Sequence, residues 1–380
     1  MKRALIYIIV LMLSGCIPTH MRQMLQTAPT DWVMSGGSPE RTNATHSVIL
    51  PPLTVAWEYD ALAGFSGFSA ITSDSFLFVS NLQGEVHMIN ISNGKVAGTY
   101  DFGSAIAGSP VIDNNRMYVP LSRDEQSFVC YSMPKGTVEW SANIGEVETS
   151  PLIIGSRIFI TTLQGKLVCL DKSTGTEIWA YLIPSPKDEV MIHSSPAGDE
   201  NVVVFGADNG NVYAVNTQDG TLRWKAVTRK SIFSSPSISS GKVFISSLDS
   251  TLYALDLSSG VVVWKRPLGS RIYSSQAIGN NRLYTTTTGG SVLALDVLTG
   301  NIVWNVPMNS VINATPLLSG NVLYVGGLDK TLTALNAESG AALWQYKAEG
   351  RIKTAPIIFS NHLFLLTEDH SVIAFIQSAQ

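Results

Sequence analysis

The fold is decided by residues 251–264, Thr251-Leu-Tyr-Ala-Leu-Asp-Leu-Ser-Ser-Gly-Val-Val-Val-Trp264, and by their near copy at 291–304, Ser291-Val-Leu-Ala-Leu-Asp-Val-Leu-Thr-Gly-Asn-Ile-Val-Trp304. In both copies a tryptophan stands four residues after a glycine. The same spacing recurs along the chain, and its tryptophans are Trp140, Trp179, Trp224, Trp264, Trp304 and Trp344. Their separations of 39, 45, 40, 40 and 40 residues indicate an array of one supersecondary unit.

Each unit has further landmarks that predict four strands. A Ser-Pro pair, as at Ser235-Pro236, opens the unit, and a Leu-Tyr-Ala-Leu-Asp motif precedes the glycine. Between them, apolar and polar residues alternate in short runs rich in Val, Ile, Tyr and Thr, which is the two-residue period of strands. Breaks such as Asp208-Asn-Gly210 suit tight turns. We label the four strands A to D, and such four-stranded units are typical of propeller blades.

Counting the landmarks predicts an all-β, eight-bladed propeller over residues 53–376. The Ser-Pro slots run from Ser69 to Ala355, and the tryptophan slots begin at Trp57 with Gly98 as a degenerate second copy. The array starts with a D strand, Leu53 to Tyr59, and ends with a C strand, Val372 to Ile376. Joining these two closes the ring and removes a free sheet edge. Residues 377–380 are predicted to be a short tail.

Composition and motifs narrow the function. Net charge is −4 and charged residues make up 14% of the chain, with no basic stripe, which argues against nucleic-acid binding. The sequence contains no HExxH, CxxC, Walker or GxSxG pattern, so no metal or catalytic site is indicated. Asp171, Asp256 and Asp296 recur with the repeat and are interpreted as turn caps.

The N-terminus predicts export and a lipid anchor. Lys2 and Arg3 precede the apolar run Leu5 to Leu13, which is too short to span a membrane and suits a signal peptide over residues 1–15. Leu13-Ser-Gly-Cys16 resembles a bacterial lipobox, which implies acylation of Cys16. An ordinary signal peptide with a chance cysteine remains the alternative. We expect residues 16–52, which contain five prolines, to form a lipidated N-terminus and tether.

The two other cysteines are expected to be free and buried. Cys130 and Cys169 occupy the same strand C slot of neighbouring units, where Ala214 and Ala254 stand in others. Equivalent positions of neighbouring blades lie too far apart for the ~4.4–6.8 Å Cα spacing of a disulfide. Buried thiols acting as small hydrophobes are the better interpretation.

The complete pattern, Ser-Pro … Gly-x-Leu-Tyr-Ala-Leu-Asp … Thr-Gly-x-x-x-Trp, resembles the PQQ-like (quinoprotein-type) β-propeller repeat over residues 53–376. One branch of that family comprises dehydrogenases that bind pyrroloquinoline quinone and calcium, often under a vicinal Cys-Cys pair that this chain lacks. The other comprises outer-membrane assembly factors of the BamB type, which are lipoproteins of similar length.

Resemblance to the second branch implies a non-catalytic, lipid-anchored scaffold at the periplasmic face of the outer membrane. It implies a BamA-like barrel-assembly partner and unfolded outer-membrane proteins, a monomer within a complex, no nucleic acid and no cofactor. Two alternatives remain open: a quinone- or sugar-binding propeller, and a lipoprotein scaffold with another partner. The segment Asp31 to Thr42 resembles the lead-in of quinoprotein-like propellers, which keeps these alternatives in view.

The largest departure from the period marks the candidate docking region. The distance from a tryptophan to the next Ser-Pro slot is 10 to 12 residues elsewhere but 16 after Trp179. Propellers place binding insertions in such loops. The partner-binding candidates there are Leu182, Ile183, Val190, Met191 and Ile192, and Arg123 and Asp124 join them from a slightly enlarged B–C loop expected on the same face. A tolerated surface insertion is the alternative, because loops accept residues at little cost.

Overall fold

The computed structural model describes residues 20–67, 70–122, 125–184 and 190–378, and its regular structure there consists of β-strands in eight sheets. In seven blades four antiparallel strands follow one another in chain order, and in the eighth an early strand completes the sheet. Neighbouring sheets touch through their innermost strands. The predicted all-β, eight-bladed propeller of four-stranded blades is confirmed.

Blade 1 contains β3 (Ile71–Ser73), β4 (Phe76–Ser80), β5 (Glu85–Asn90) and β6 (Val96–Asp101). Blade 2 contains β7 (Val111–Asp113), β8 (Arg116–Pro120), β9 (Phe128–Ser132) and β10 (Thr137–Ala142). Blade 3 contains β11 (Leu152–Ile154), β12 (Arg157–Thr161), β13 (Lys166–Asp171) and β14 (Glu177–Leu182). Blade 4 contains β15 (Ala197–Gly198), β16 (Val202–Gly206), β17 (Asn211–Asn216) and β18 (Leu222–Val227).

Blade 5 contains β19 (Ser237–Ser239), β20 (Lys242–Ser247), β21 (Thr251–Asp256) and β22 (Val262–Pro267). Blade 6 contains β23 (Ala277–Gly279), β24 (Arg282–Thr286), β25 (Ser291–Asp296) and β26 (Ile302–Pro307). Blade 7 contains β27 (Leu317–Ser319), β28 (Val322–Gly326), β29 (Thr331–Asn336) and β30 (Ala342–Lys347). Blade 8 contains β31 (Ile357–Phe359), β32 (His362–Leu366), β33 (Ser371–Gln377) and the early strand β2 (Leu53–Asp60), and β1 (Ala44–Thr45) pairs in parallel with β27.

The ring closes as predicted, because β2 forms the outer strand of blade 8. It pairs antiparallel with β33, and Trp57 lies opposite Ala374. The pairing joins the first and last strands of the array and covers what would otherwise be a free edge. The predicted boundary at residue 376 is one residue short, since β33 continues to Gln377.

The recurrent tryptophans pack between blades. A Cβ added to Gly260 would lie 2.5 Å from Trp224 Cε3, and Gly300 meets Trp264 in the same way, so only glycine admits the ring. The Nε1–H of Trp224 donates to the Leu257 carbonyl of the next blade at 2.8 Å. The once-per-blade tryptophan is therefore a packing residue, as its regular phase predicts. Trp57, Trp179, Trp264 and Trp304 also donate Nε1–H to a carbonyl of the next blade, whereas the buried Nε1 of Trp140 has no hydrogen-bond partner among the described residues.

The Ser-Pro slot forms a hydrogen-bonded ladder around the channel. The backbone N–H of Ser150 donates to Ser195 Oγ at 2.9 Å, and the N–H of Ser195 donates to Ser235 Oγ at 3.1 Å. The same bond joins each of the following pairs: Ser109 to Ser150, Ser235 to Ser275, and Ser275 to Thr315. Each hydroxyl thus satisfies a buried backbone donor of the preceding blade.

The other structural predictions for the repeat residues hold. Asp256 Oδ1 accepts hydrogen bonds from the backbone N–H groups of Ser258 and Ser259 at 3.1 and 2.9 Å, which is a turn cap. The hydroxyl groups of the same two serines also donate to Oδ1, and these side-chain bonds, followed by the backbone bonds, lower the pKa of Asp256 to about 2. Cys130 and Cys169 are buried free thiols, and burial raises the pKa of each to about 12.

The prediction of a tether over residues 16–52 is wrong from His20 onward. Met21, Trp32 and Ile49 are buried in the propeller core. Residues 20–27 lie between blades 1 and 2, and residues 31–45, which we call the plug, cross the central channel against the inner strands. This segment turns tightly instead, as at Gly36 and Gly37 with φ of 82° each.

The plug satisfies the inner edges of most blades. Carbonyl groups of the plug accept backbone N–H donors from strand A of blades 1, 2, 4, 5, 6 and 7. These bonds join Thr72 to Trp32, Ile112 to Val33, Gly198 to Pro39, Ile238 to Glu40, Ile278 to Thr42 and Leu318 to Asn43. Unpaired edge groups at the channel are thereby removed.

The degenerate tryptophan slot at Gly98 is explained by the N-terminal segment. A Cβ at Gly98 would lie 2.7 Å from Met21 Cα, so this position must be glycine for the segment to pass. Met21 is fully buried there, and its carbonyl accepts the Tyr131 hydroxyl at 2.5 Å. The segment takes the volume that a tryptophan occupies between other blades.

Replacing Gly98 by alanine is expected to release residues 20–27 without unfolding the ring. Loss of the burial of Met21, about 1.5–3 kcal/mol, should raise the population of the detached segment tenfold or more. Limited proteolysis read by mass spectrometry should show faster cleavage within 20–27. Gly64→Ala is the matched control, because nothing lies within 4 Å of a Cβ there. Equal cleavage in both variants would contradict this packing.

Candidate functional site

The predicted docking loop follows β14 and lies between blades 3 and 4. Leu182 ends β14 and is 59% exposed, and Met191 is 45% exposed. The backbone N–H of Asp208, in the B–C turn of blade 4, donates to the Met191 carbonyl at 3.1 Å. Residues 185–189 lie outside the described residues. The two exposed apolar side chains are therefore held on ordered backbone at both ends of the loop.

Two of the predicted contact residues support the loop instead. Ile183 and Ile192 are buried in the hydrophobic cluster shared by blades 3 and 4, and Val190 packs partly buried against the same cluster. Ile183 is fixed further by its backbone N–H, which donates to the Gly165 carbonyl at 3.0 Å. Apolar composition alone did not separate contact residues from core residues in this loop.

Val227 is an exposed residue of this region that the sequence analysis missed. It ends β18 three residues after Trp224, as Leu182 ends β14 three residues after Trp179, and it is 67% exposed. The equivalent positions of the other blades hold Asp60, Asp101, Asn143, Pro267, Pro307 and Lys347. Comparing this slot across the repeats would have found the pair. We call Leu182, Met191 and Val227 the blade 3–4 patch.

B–C turns and D–A loops emerge on one face, which we call the D–A face, as expected. The N–H of Leu163, in the B–C turn of blade 3, donates to Glu146 O in the preceding D–A loop at 2.9 Å. The blade 2 B–C loop follows the same rule, since Ser122 Oγ donates to Val147 O at 3.2 Å. Arg123 and Asp124 lie outside the described residues, so their placement stays a prediction.

His193 fixes the end of the loop by an ion pair. Its Nδ1 lies 3.1 Å from both carboxylate oxygens of Asp208, and its ring packs 4.9 Å from that of Phe233. The hydrogen bond to Asp208, with a smaller contribution from the charge of Glu148, raises the pKa of His193. The protonated form therefore stabilises the loop.

This ion pair predicts a pH-dependent loop. Because the pKa of folded His193 is raised, its contribution is complete below the unfolded value of about 6.5 and is lost as pH rises through the folded pKa. Between pH about 6 and 8 we expect amide exchange in residues 190–192, corrected for intrinsic rates, to rise by up to about fivefold. Partly exposed pairs contribute only about 0–1 kcal/mol. His193→Gln should abolish the pH response, and an unchanged response in that variant would contradict this role.

The central channel holds the other candidate site, a cavity of about 300 Å³. Its floor includes Arg41 and Asn43 of the plug, and its walls include Phe233, Tyr273 and Lys353. Lys353 Nζ also pairs with Glu368. This volume is at the lower limit of small-ligand pockets, about 300–1,000 Å³.

The described lining of the channel lacks the carboxylates that calcium sites usually contain. Its described lining includes serine, threonine and asparagine side chains and the cations Arg41 and Lys353, but no carboxylate. Across the described residues, no group of three or more His, Cys, Asp or Glu side chains is arranged to hold a metal ion. A calcium-dependent quinone therefore does not fit the residues that line the cavity.

The predicted lipidation residue, Cys16, lies outside the described residues. Within them, no helix has the length and apolarity needed to cross a membrane.

Comparisons with known proteins identify the family. A family model described as outer membrane protein assembly factor BamB matches residues 53–142, 185–314 and 289–378. A BamB from Burkholderia pseudomallei is 25% identical over 181 residues, 46% of this chain and 46% of that protein. One from Xanthomonas campestris is 29% identical over 101 residues, 23% and 24% of the two chains. The chain thus matches less than half the length of these curated relatives.

Solved structures share the fold at low identity. BamB from Moraxella catarrhalis superposes with a TM-score of 0.73 at 18% identity, covering 85% of this chain and 99% of that one. A quinohemoprotein alcohol dehydrogenase from Pseudomonas putida HK5 superposes with a TM-score of 0.79 at 13% identity, covering 93% and 81%. At these identities the likeness shows the propeller alone, and function rests on the site.

Proposed function

The chain belongs to the PQQ-like propeller family of outer membrane protein assembly factor BamB, and from that premise we propose that it is a non-catalytic scaffold that assists the assembly of outer-membrane β-barrel proteins. Its partner would be a BamA-like barrel-assembly protein. The observation that carries the proposal is the blade 3–4 patch, where apolar side chains stand exposed at D-strand ends that are polar or proline elsewhere in the ring.

The patch suits a protein partner better than a small molecule. Leu182 and Val227 project from equivalent positions on neighbouring blades, with Met191 on the loop between those blades. Exposed apolar residues on a rigid scaffold are typical of protein interfaces, and methionine adapts to irregular partner surfaces. The buried Ile183 and Ile192 fix the two described ends of the loop, which reduces the conformational entropy that those ends lose on binding.

We also propose that the protein is exported and acylated at Cys16, which would place it at the periplasmic face of the outer membrane. The support is the coincidence of a basic N-terminus, the apolar run Leu5 to Leu13 and a lipobox-like Leu13-Ser-Gly-Cys16. Lipid chains at one residue hold a protein to a membrane without a spanning segment.

Precursor strands could add to blade edges by β-augmentation, and the geometry limits where. Every outer strand carries a bulge just before its tryptophan slot, as between Val55 and Trp57 of blade 8 and opposite Ala214 and Val215 of blade 4. A bulge interrupts the ladder. We therefore propose that strand addition uses the part of β14 or β18 that follows the tryptophan, next to the patch.

A quinone-binding function is the second candidate, favoured by the likeness to quinohemoprotein dehydrogenases. When bound, pyrroloquinoline quinone supplies redox chemistry, and Arg41, Asn43, Tyr273 and Lys353 are the polar residues that would face it. Because the described lining of the cavity contains no carboxylate, it does not favour the calcium ion that accompanies the quinone in those dehydrogenases. We therefore propose that this protein binds no quinone. Titration of the purified protein with quinone and calcium should leave its melting temperature unchanged, and a saturable increase would favour this second candidate.

The scaffold proposal is tested by affinity capture. The tagged full-length protein, expressed in its own cells, should recover a barrel-assembly protein from detergent-solubilised outer membranes in near-equal amounts. The proposal would be contradicted if the captured material contained no barrel-assembly protein. It would also be contradicted if a different protein were recovered in near-equal amounts.

A further inference from the structure

The N-terminal segment enters the propeller at the outer rim between blades 1 and 2. His20 forms a parallel bridge with Thr99 of β6, which is the outer strand of blade 1. Arg22 Nε donates to the Pro134 carbonyl in the blade 2 C–D turn at 2.8 Å, and the N–H of Gln23 donates to Met133 O at 2.9 Å. From this point the chain runs inward to the plug.

The entry point limits how far the propeller can move from an anchor at Cys16. Four peptide units separate Cys16 from His20, and they span at most about 14 Å when fully extended. A blade is four strands wide, so its inner and outer strands lie about 14 Å apart. The rim on the far side of the ring is therefore at least about 29 Å beyond the entry point, plus the width of the channel.

We infer that the rim of blades 1 and 2 faces the membrane, and that its ligand is a lipid headgroup surface. The inference rests on the acylation of Cys16 in the proposed function. The rim presents the exposed cations Arg22, Lys95 and Lys135, the exposed acid Asp101 at the end of β6, and Met24, which is 63% exposed. Cations next to exposed apolar side chains suit an anionic lipid interface. The Nζ of Lys135 also donates a hydrogen bond to the Glu139 carboxylate at 2.8 Å.

This orientation keeps the blade 3–4 patch accessible. The patch lies on the D–A face, one to two blades along the ring from the rim. A partner embedded in the same membrane could reach the patch without displacing the rim. A long tether over residues 16–52 would have allowed every orientation, so the packed segment is the feature that selects one.

The test uses four matched positions around the ring. Val96 in blade 1, Val138 in blade 2, Val262 in blade 5 and Ile302 in blade 6 each stand two residues before the tryptophan slot, and their exposed fractions run from 37% to 45%. Each is replaced singly by cysteine and labelled with a fluorophore. Cys130 and Cys169 are fully buried, so they should not react. The acylated protein is inserted into vesicles of phosphatidylethanolamine and phosphatidylglycerol that contain a nitroxide-labelled lipid.

We expect quenching at 96 and 138 to exceed that at 262 and 302 at least threefold. Equal quenching at all four, or stronger quenching at 262 and 302, overturns the orientation. Flotation of the vesicles separates the two proposals. If the protein floats but quenching is equal at all four positions, the lipid anchor is supported and the proposed orientation is overturned. If the protein does not float with the vesicles, both the anchor and the orientation are overturned. Adding Gly98→Ala should reduce the difference between the rims, because the released segment lengthens the tether.

Discussion

Replacing Arg41 by alanine is expected to lower the free energy of unfolding by at least about 3 kcal/mol. Arg41 is 1% exposed, and its guanidinium binds only carbonyl oxygens. Nε donates to Pro196 O at 2.7 Å, Nη1 to Ser35 O at 2.7 Å, and Nη2 to Ser150 O and Pro151 O at 2.9 and 3.2 Å. These contacts tie the plug to blades 3 and 4, so alanine leaves several buried acceptors unsatisfied.

The charge of Arg41 is maintained despite burial. Desolvation lowers its pKa to about 9, which still leaves it protonated at neutral pH. Urea denaturation followed by tryptophan fluorescence measures the effect. Arg223→Ala is the control, because that side chain is exposed in β18 and should change stability by less than about 0.5 kcal/mol. A loss below about 1 kcal/mol for Arg41→Ala would contradict the role of the plug in holding the ring.

Replacing Leu182 and Met191 together by aspartate is expected to weaken binding of the barrel-assembly partner at least a hundredfold. Charges placed in an apolar interface must be desolvated without a counter-charge, and central interface residues each contribute about 2 kcal/mol or more. Both side chains are exposed and point away from the core cluster, so the fold should be retained. The measurement is the Kd of the purified variant for the captured partner.

The matched control is aspartate at Val262 and Ile302, which are also exposed but lie on the outer edges of blades 5 and 6. That variant should bind normally. If the Val262 and Ile302 double variant weakened binding as much as the patch variant, exposed apolar surface in general would account for the binding. The blade 3–4 patch would then not be the docking site.

The blades were predictable because each depends on a residue whose role repeats. In most blades, glycine before tryptophan, serine before proline, and aspartate or asparagine at the end of strand C make the same contact, so their spacing is visible in the chain. Even the closure by β2 followed from the phase of Trp57. Because the same packing contact recurs in successive blades, the residues that make it recur at a fixed spacing in the sequence.

The plug was not predictable by the same route, because its buried apolar side chains, Trp32 and Met34, do not recur at a fixed spacing. Its bonds run from backbone carbonyls, which any residue supplies, and from a few side chains that include Arg41 and Asn43. Two signals existed. Glycine at position 98, where tryptophan was expected, marks the passage of residues 20–27, and the segment Asp31 to Thr42 resembles the lead-in of quinoprotein-like propellers. The docking loop was located by the long gap after Trp179, but the gap did not show which of its residues are exposed. Only the structure separates the buried Ile183 and Ile192 from the exposed Leu182 and Met191. Val227 would have required a comparison of equivalent positions across the blades.

The most direct test of the scaffold is photo-crosslinking in growing cells from a reactive side chain at Leu182, compared with one at Ile302. Both positions are exposed, and they lie on different parts of the ring. The account predicts that position 182 crosslinks to an outer-membrane barrel-assembly protein and that position 302 does not. Crosslinks to that protein from 302 and none from 182 would contradict it.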